Sequence, residues 1–241
     1  MNHKASVEQV RVEDLHKSYG EHEVLKGVSL TANAGDVISI IGSSGSGKST
    51  WLRCINFLEC PTAGRILWQG ADIGPLPPGQ RPLSVLFQDQ NLFPHLTVAQ
   101  NVGLGLRSDL KLTAQDRARI DEALERVGLE GMGGRKPAQL SGGQQGRAAL
   151  ARVLLRARPL LLLDEPFAAL GPALKAEMLE LLATLARDTG ATVLMVTHDP
   201  QDALRFAEQT VLVADGVAAA PVATAALFAD PPPTLRDYLG S

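Results

Sequence analysis

Gly42-Ser43-Ser44-Gly45-Ser46-Gly47-Lys48-Ser49, followed by Thr50, has the form G-x-x-x-x-G-K-[ST]. The apolar run ahead of it, Asp36–Ile41, reads as a strand, and Lys48–Leu58 behind it reads as a helix. In that order, strand, turn and helix make a loop that wraps phosphate. The glycines let the backbone turn tightly, so that its N–H groups face phosphate oxygens. The helix N-terminus adds a partial positive charge. Lys48 is placed to reach β- and γ-phosphates, and Ser49 to hold Mg²⁺. The competing explanation is a glycine-rich loop that happens to precede a helix. A chance match in a chain of this size is on the order of one in a hundred, and the strand and helix requirements lower it further. The implied ligand is a nucleotide.

Outward from this loop, short β-branched strands alternate with helical patterns, as in a largely parallel sheet covered by helices. Candidate strands are Val10–Leu15, Val24–Leu30, Asp36–Ile41, Arg65–Trp68, Leu83–Gln88, Leu160–Asp164, Thr192–Thr197 and Thr210–Ala214. The run Leu160–Leu163 is apolar throughout, as expected of a strand buried on both faces. Helices are signalled after Thr113 and Ser141, and from Pro172 to about Asp188. Residues 96–158 are mostly helical and interrupt the strand series, so they read as an inserted helical subdomain. Pro231–Pro233 reads as the close of the last ordered part.

Leu160–Asp164 ends in a pair of acids, Asp164-Glu165, before Pro166. Asp164 at a strand tip supplies a Mg²⁺ ligand, directly or through water, and Glu165 is placed to polarise an attacking water. Alone, a solvated acidic turn would explain the pair equally well. Beside the phosphate loop, it supplies the missing metal ligand.

Composition bounds the rest. The 241 residues are 45% hydrophobic, with a net charge of −3. That is ordinary for a globular protein and offers no electrostatic footprint for nucleic acid. No stretch approaches the about 20 apolar residues of a membrane span. The first twenty residues lack a secretory pattern. Two cysteines, Cys54 and Cys60, make neither a disulfide framework nor a zinc site.

Leu140-Ser141-Gly142-Gly143-Gln144 lies about twenty residues before the acidic strand end. Together with the two motifs above it resembles the ATP-binding cassette (ABC) ATPases, over essentially the whole chain. The resemblance implies an α/β phosphate-loop NTPase fold. Its RecA-like core would carry an N-terminal antiparallel β subdomain and the helical subdomain. The chain 1–241 would be one ATPase domain, with residues 1–95 and 159–241 as core and 96–158 as the helical, signature-bearing part. Ser141, Gly142, Gly143 and Gln144 would present bare N–H groups to the γ-phosphate on a second copy, two copies sandwiching two ATPs. Tyr19 would stack on adenine. Gln88 would touch Mg²⁺ and water, and His198 would contact the γ-phosphate. Glu165, His198 and Gln88 are thus the catalytic candidates, and Ser49, Gln88 and Asp164 the metal candidates, with ATP and Mg²⁺ as cofactors. Two positions depart from the family: Gly171 stands where Asp is usual, which implies weakened hydrolysis, and Gly146 where Gln is usual.

Residues 14–59 look like the ATPases of polar amino-acid importers, of the histidine/arginine type. From about Gly64 onward the chain resembles a thiamine importer ATPase, as in "PLSVLFQDQNLFPHLTVAQNVGLGL" and "VLMVTHDPQDALRFAEQTVLVADG". The change near Pro61–Gly64 is consistent with a chimera, natural or constructed. Contacts with membrane partners fall in residues 88–110 in this family, so thiamine is favoured over polar amino acids. The implied partners are transmembrane permease subunits, a solute-binding protein and a second ATPase copy. The implied location is the cytoplasmic face of the inner membrane. The alternatives are an ATP-dependent dimerisation module with little turnover, and a non-transport cassette working on DNA or ribosomes. The second would need basic or coiled-coil extensions, which are absent from the sequence.

Overall fold

The structure, a computed structural model, describes residues 7–87 and 92–239. In chain order its elements are β1 (Glu8–Tyr19), β2 (His22–Asn33), β3 (Val37–Ile41), α1 (Lys48–Ile55), β4 (Ala63–Trp68), β5 (Ala71–Asp72), β6 (Leu83–Phe87), α2 (Val98–Gly103), α3 (Ala114–Arg126), α4 (Gly142–Arg156), β7 (Leu160–Asp164), α5 (Pro172–Thr189), β8 (Thr192–Val196), α6 (Pro200–Phe206), β9 (Gln209–Ala214), β10 (Val217–Ala218), β11 (Val222–Ala223), α7 (Thr224–Ala229) and α8 (Pro233–Leu239). They form two compact units. Of the described residues, one unit holds 7–83, 159–164 and 190–239; the other holds 84–87, 92–158 and 165–189.

The first unit contains two sheets. The antiparallel sheet runs β2-β1-β4-β5. In the other, β9, β3, β8 and β7 lie side by side and parallel, with β10 and β11 pairing antiparallel to β9. Every residue of β7 and β8 is buried, which is why both read as unbroken apolar runs. β1 and β2 are longer than their apolar patterns predict. Register shifts between Val12 and Leu15, and between Leu15 and Lys17, break the alternation that marks a strand.

The two sheets meet through backbone contact. Lys26 N donates to Gly216 O at 2.8 Å. A Cβ on Gly216 would lie 2.4 Å from Val24 O, so only glycine allows this approach. Beyond β5, the guanidinium of Arg81 is fully buried. It donates to Leu76 O at 2.9 Å, Gly74 O at 2.9 Å and Ile55 O at 2.6 Å. One side chain thereby ties the Gly74–Gln80 turn to the last residue of α1.

The C-terminus corrects the expectation drawn from Pro231–Pro233. These prolines do not end the ordered chain, because Pro233 opens α8. A proline at the first helical position carries no N–H to leave unsatisfied.

In the second unit, α4 packs against α2, α3 and α5. Thr97, Thr113 and Ser141 each close a capping box with the residue three positions on. At α3 the Asp116 carboxylate accepts from Thr113 N, from the Thr113 hydroxyl and from Arg107 Nε, at 2.8 to 2.9 Å. The Thr113 backbone bond first, then Arg107, hold its pKa down at about 2. Among the described residues, no helix is long and apolar enough to cross a membrane.

Candidate functional site

The phosphate loop leaves β3 and enters α1, as its sequence predicts. Gly42, Gly45 and Gly47 all have positive φ (154°, 80° and 100°). A Cβ on Gly42 would lie 2.0 Å from Val213 O, and one on Gly47 2.9 Å from Leu25 Cδ2, so both positions require glycine. A Cβ on Gly45 would meet nothing within 4 Å. Within the protein its glycine serves backbone conformation rather than packing. Ser43, Ser44 and Gly45 are exposed, whereas Ser46, Gly47 and Lys48 are buried. The Lys48 ammonium lies inside the loop, donating to Gly42 O at 2.8 Å and Ser43 O at 2.7 Å. Ser49 and Thr50 follow in the first turn of α1.

Asp164 is brought to this loop by the parallel pairing of β7, β8 and β3. Asp164 pairs with Val196, and Val196 with Ile40, so the C-terminal ends of the three strands lie level. The Ser49 hydroxyl donates to Asp164 Oδ1 at 2.8 Å, across a separation of 115 residues. A hydroxyl and a carboxylate so placed beside a buried lysine are oxygen donors of the kind Mg²⁺ takes alongside phosphate.

His198 lies just past β8. Thr197 N donates to Ile40 O at 3.2 Å, which ties this end to β3. The Thr197 hydroxyl donates to the buried Asp202 carboxylate at 2.7 Å. Asp199 caps α6 by accepting from Gln201 N at 2.9 Å. The Tyr238 hydroxyl donates to the His198 carbonyl oxygen. Tyr19, at the end of β1, is 47% exposed, and its ring carries the Lys17 ammonium at 4.7 Å from the centroid.

Glu165 and the signature residues Ser141 to Gln144 belong to the second unit. Glu165, joined directly to Asp164, has φ 46°, an uncommon conformation for a residue with a side chain. The signature helix starts at Ser141, whose hydroxyl accepts from Gln144 N at 3.3 Å while Gln144 Oε1 accepts from Ser141 N at 3.0 Å. Leu174 packs closely over Gly143: a Cβ there would lie 2.6 Å from Leu174 Cδ2, so any larger residue would displace that side chain. α4 runs through Gly146 without interruption. Gln88 lies outside the described residues. Sequence reasoning missed Tyr238, which has no local signal because it acts on a backbone carbonyl, a group every residue carries.

A phosphate loop at the end of a parallel strand, with an acidic strand tip hydrogen-bonded to its serine, defines a nucleoside-triphosphate-binding protein. The ABC transporter family matches residues 25–168, and the chain belongs to that family, with ATP binding and an ATPase domain as its common property. The thiamine import ATP-binding protein ThiQ of Cereibacter sphaeroides is 70% identical over 87% of this chain and 91% of its own length. That of Ruegeria sp. strain TM1040 is 53% identical over 96% of this chain and 100% of its own. Among solved structures, cbiO1 from Clostridium perfringens, part of the ABC transporter complex cbiONQ, superimposes with a TM-score of 0.83 at 31% identity. It covers 92% of this chain and 91% of that one. An ATP-binding cassette solved as a dimer in a post-hydrolysis state, bound to ADP and Pi, gives a TM-score of 0.77 at 34% identity, over 89% and 98% of the two chains.

These matches correct the chimeric reading. A likeness covering 96% of the chain runs through residues 14–59 as well as the remainder, so a change of ancestry near Pro61–Gly64 has no support. The physical reason is that residues 14–59 build the phosphate loop and its supports. That chemistry is the same whatever solute is carried.

Proposed function

We propose that the chain is the ATP-hydrolysing subunit of a thiamine importer. One observation carries the substrate: 70% identity across 87% of the chain with a thiamine import ATP-binding protein. The geometry of the phosphate loop supports the chemistry. Lys48, now hydrogen-bonded to loop carbonyls, would exchange these partners for β- and γ-phosphate oxygens. Ser49 and Asp164 would hold Mg²⁺ between them, with Gln88 as a further ligand. Bound there, the metal would neutralise charge on the phosphate oxygens. Glu165 would orient and deprotonate the attacking water, and His198 would contact the γ-phosphate. Tyr19 would stack on the adenine.

The capped N-terminus of α4, with Ser141 to Gln144, would meet the γ-phosphate held by a second copy. ATP would therefore close a homodimer, and hydrolysis would open it. The solute path would lie in permease subunits fed by a solute-binding protein, with this chain docked from the cytoplasmic side. The whole chain would act as one ATPase domain, in which residues 96–158 form the signature-bearing insertion. Gly171 favours a second reading, a dimerisation module with slow turnover, because it leaves its loop without the carboxylate usual there; the backbone itself does not require glycine, since an added Cβ would meet nothing within 4 Å.

The test is co-purification of the chain with thiamine permease subunits, followed by ATPase measurement in liposomes with and without a thiamine-loaded binding protein. Stimulation by thiamine is expected. Stimulation by histidine or arginine instead would reject the substrate, and no stimulated turnover with any partner would favour the dimerisation module.

A further inference from the structure

The C-terminal helix packs against the elements that carry the phosphate loop and His198. Leu235 of α8 is fully buried in a cluster with Ile41, Ala203, Leu212 and Leu227. Ile41 is the residue immediately before Gly42, and Ala203 lies on α6, just beyond His198. The start of α8 is fixed by Leu235 N and Arg236 N, both donating to Pro232 O at 2.9 Å, and by Arg236 Nε donating to Pro231 O at 2.7 Å. Tyr238 follows Leu235 by three residues and so shares its face. Its ring packs on the same cluster. The hydroxyl extends past the apolar contact to the carbonyl oxygen of His198.

That carbonyl belongs to the peptide linking His198 to Asp199. The N–H of the same peptide donates to Thr197 Oγ1 at 3.0 Å, and Thr197 Oγ1 is itself held by the buried Asp202. One peptide unit is thus gripped on both edges. The N–H edge is gripped from within the loop, and the carbonyl edge from a helix forty residues further along the chain. Holding this plane restricts ψ of His198, and with it the direction of the Cα–Cβ bond from which the imidazole departs. The apolar contact alone would be served by phenylalanine; what the hydroxyl adds is the hold on the peptide.

We infer that Tyr238 is a positioning residue that orients His198 for its contact with the γ-phosphate. This rests on the reading of His198 given above. Through α8, the packing of the C-terminal segment becomes part of the hydrolytic site, although no atom of α8 need touch nucleotide.

The test is Tyr238→Phe in the full chain, beside His198→Ala. Three measurements separate positioning from packing: thermal stability, MgATP affinity, and kcat with KM for ATP. Tyr238→Phe is expected to hold Tm and nucleotide affinity and to lower kcat about three- to tenfold, the range one hydrogen bond can account for. In a His198→Ala background the same change should have no further effect on kcat. A second readout needs no turnover. With ¹³Cε1-labelled histidine, the resonance that disappears in His198→Ala should shift or broaden in Tyr238→Phe, while those of His16 and His22 stay in place. An unmoved His198 resonance overturns the inference, as does an equal fall in kcat with or without His198. If His198→Ala itself leaves kcat unchanged while Tyr238→Phe moves the resonance, then Tyr238 orients the histidine and it is the γ-phosphate reading that fails.

Discussion

Arg81→Met tests whether a single buried cation organises the first unit. The guanidinium is wholly buried and makes three hydrogen bonds of 2.6 to 2.9 Å, all to backbone carbonyls, with its charge 4.6 Å from the Phe57 ring centroid. Desolvation holds its pKa below the ordinary arginine value, partly opposed by the nearby Asp72. Methionine keeps much of the aliphatic volume and removes every donor. Hydrogen bonds to a charged group each contribute about 1.5–3 kcal/mol, so the gross loss is roughly 4–9 kcal/mol. Relief of the buried charge offsets part of it, which leaves a net destabilisation of about 3–5 kcal/mol. In a chain of this size that lowers Tm by roughly 6–20 °C. Urea unfolding followed by circular dichroism should give a midpoint reduced in proportion, with the slope unchanged. Arg81→Lys should recover only a minor share, because one ammonium cannot reach three carbonyls arranged around a planar fork. A loss below about 1 kcal/mol for Arg81→Met would refute the reasoning, since it would mean the Gly74–Gln80 turn holds its place without these bonds.

Other substitutions read the site itself. Lys48→Ala should abolish nucleotide binding in a fluorescent-ATP titration, and retained micromolar binding would remove Lys48 from the phosphate contact. Glu165→Gln should bind ATP normally and accumulate an ATP-bound dimer by gel filtration, with turnover reduced by about 10²–10⁴-fold; ordinary turnover would exclude Glu165 as the base. Gly171 occupies the N-cap of α5, where its carbonyl accepts from Lys175 N at 2.9 Å. Gly171→Asp should therefore fold at least as stably, gaining a few tenths of a kcal/mol as a cap. It should also raise the ATPase rate of the assembled transporter, and an unchanged rate would dissociate Gly171 from turnover. Asp116 titrates lower in the folded chain than in the unfolded one, so its contribution is complete above about pH 4 and fades as pH falls toward about 2. Asp116→Asn should flatten that acid limb of the stability curve, which thermal melts between pH 2 and 6 would show.

What could be read from the sequence, and what could not, divides along a physical line. The phosphate loop is legible because close backbone approach permits only glycine at Gly42 and Gly47, and such a requirement leaves a mark at fixed spacing. Ser141 and Gln144 are legible for a related reason: a capping box needs particular side chains three residues apart. The Ser49–Asp164 contact joins residues 115 apart, yet both ends belong to patterned motifs, so the pairing could be expected before the strands were aligned. Arg81 and Tyr238 have no such mark. Each acts on backbone carbonyls, and every residue carries one, so nothing in the partner's identity records the contact. The hydroxyl of Tyr238 finds its acceptor only because Pro233 starts a helix where three prolines in a row suggest an end. The same distinction explains the misleading likeness of residues 14–59 to amino-acid importers. Motifs imposed by phosphate repeat wherever ATP is bound, so they carry strong evidence for the reaction and little for the solute. Evidence for the solute has to come from identity spread over the entire chain, where the constraint is the partner rather than the nucleotide.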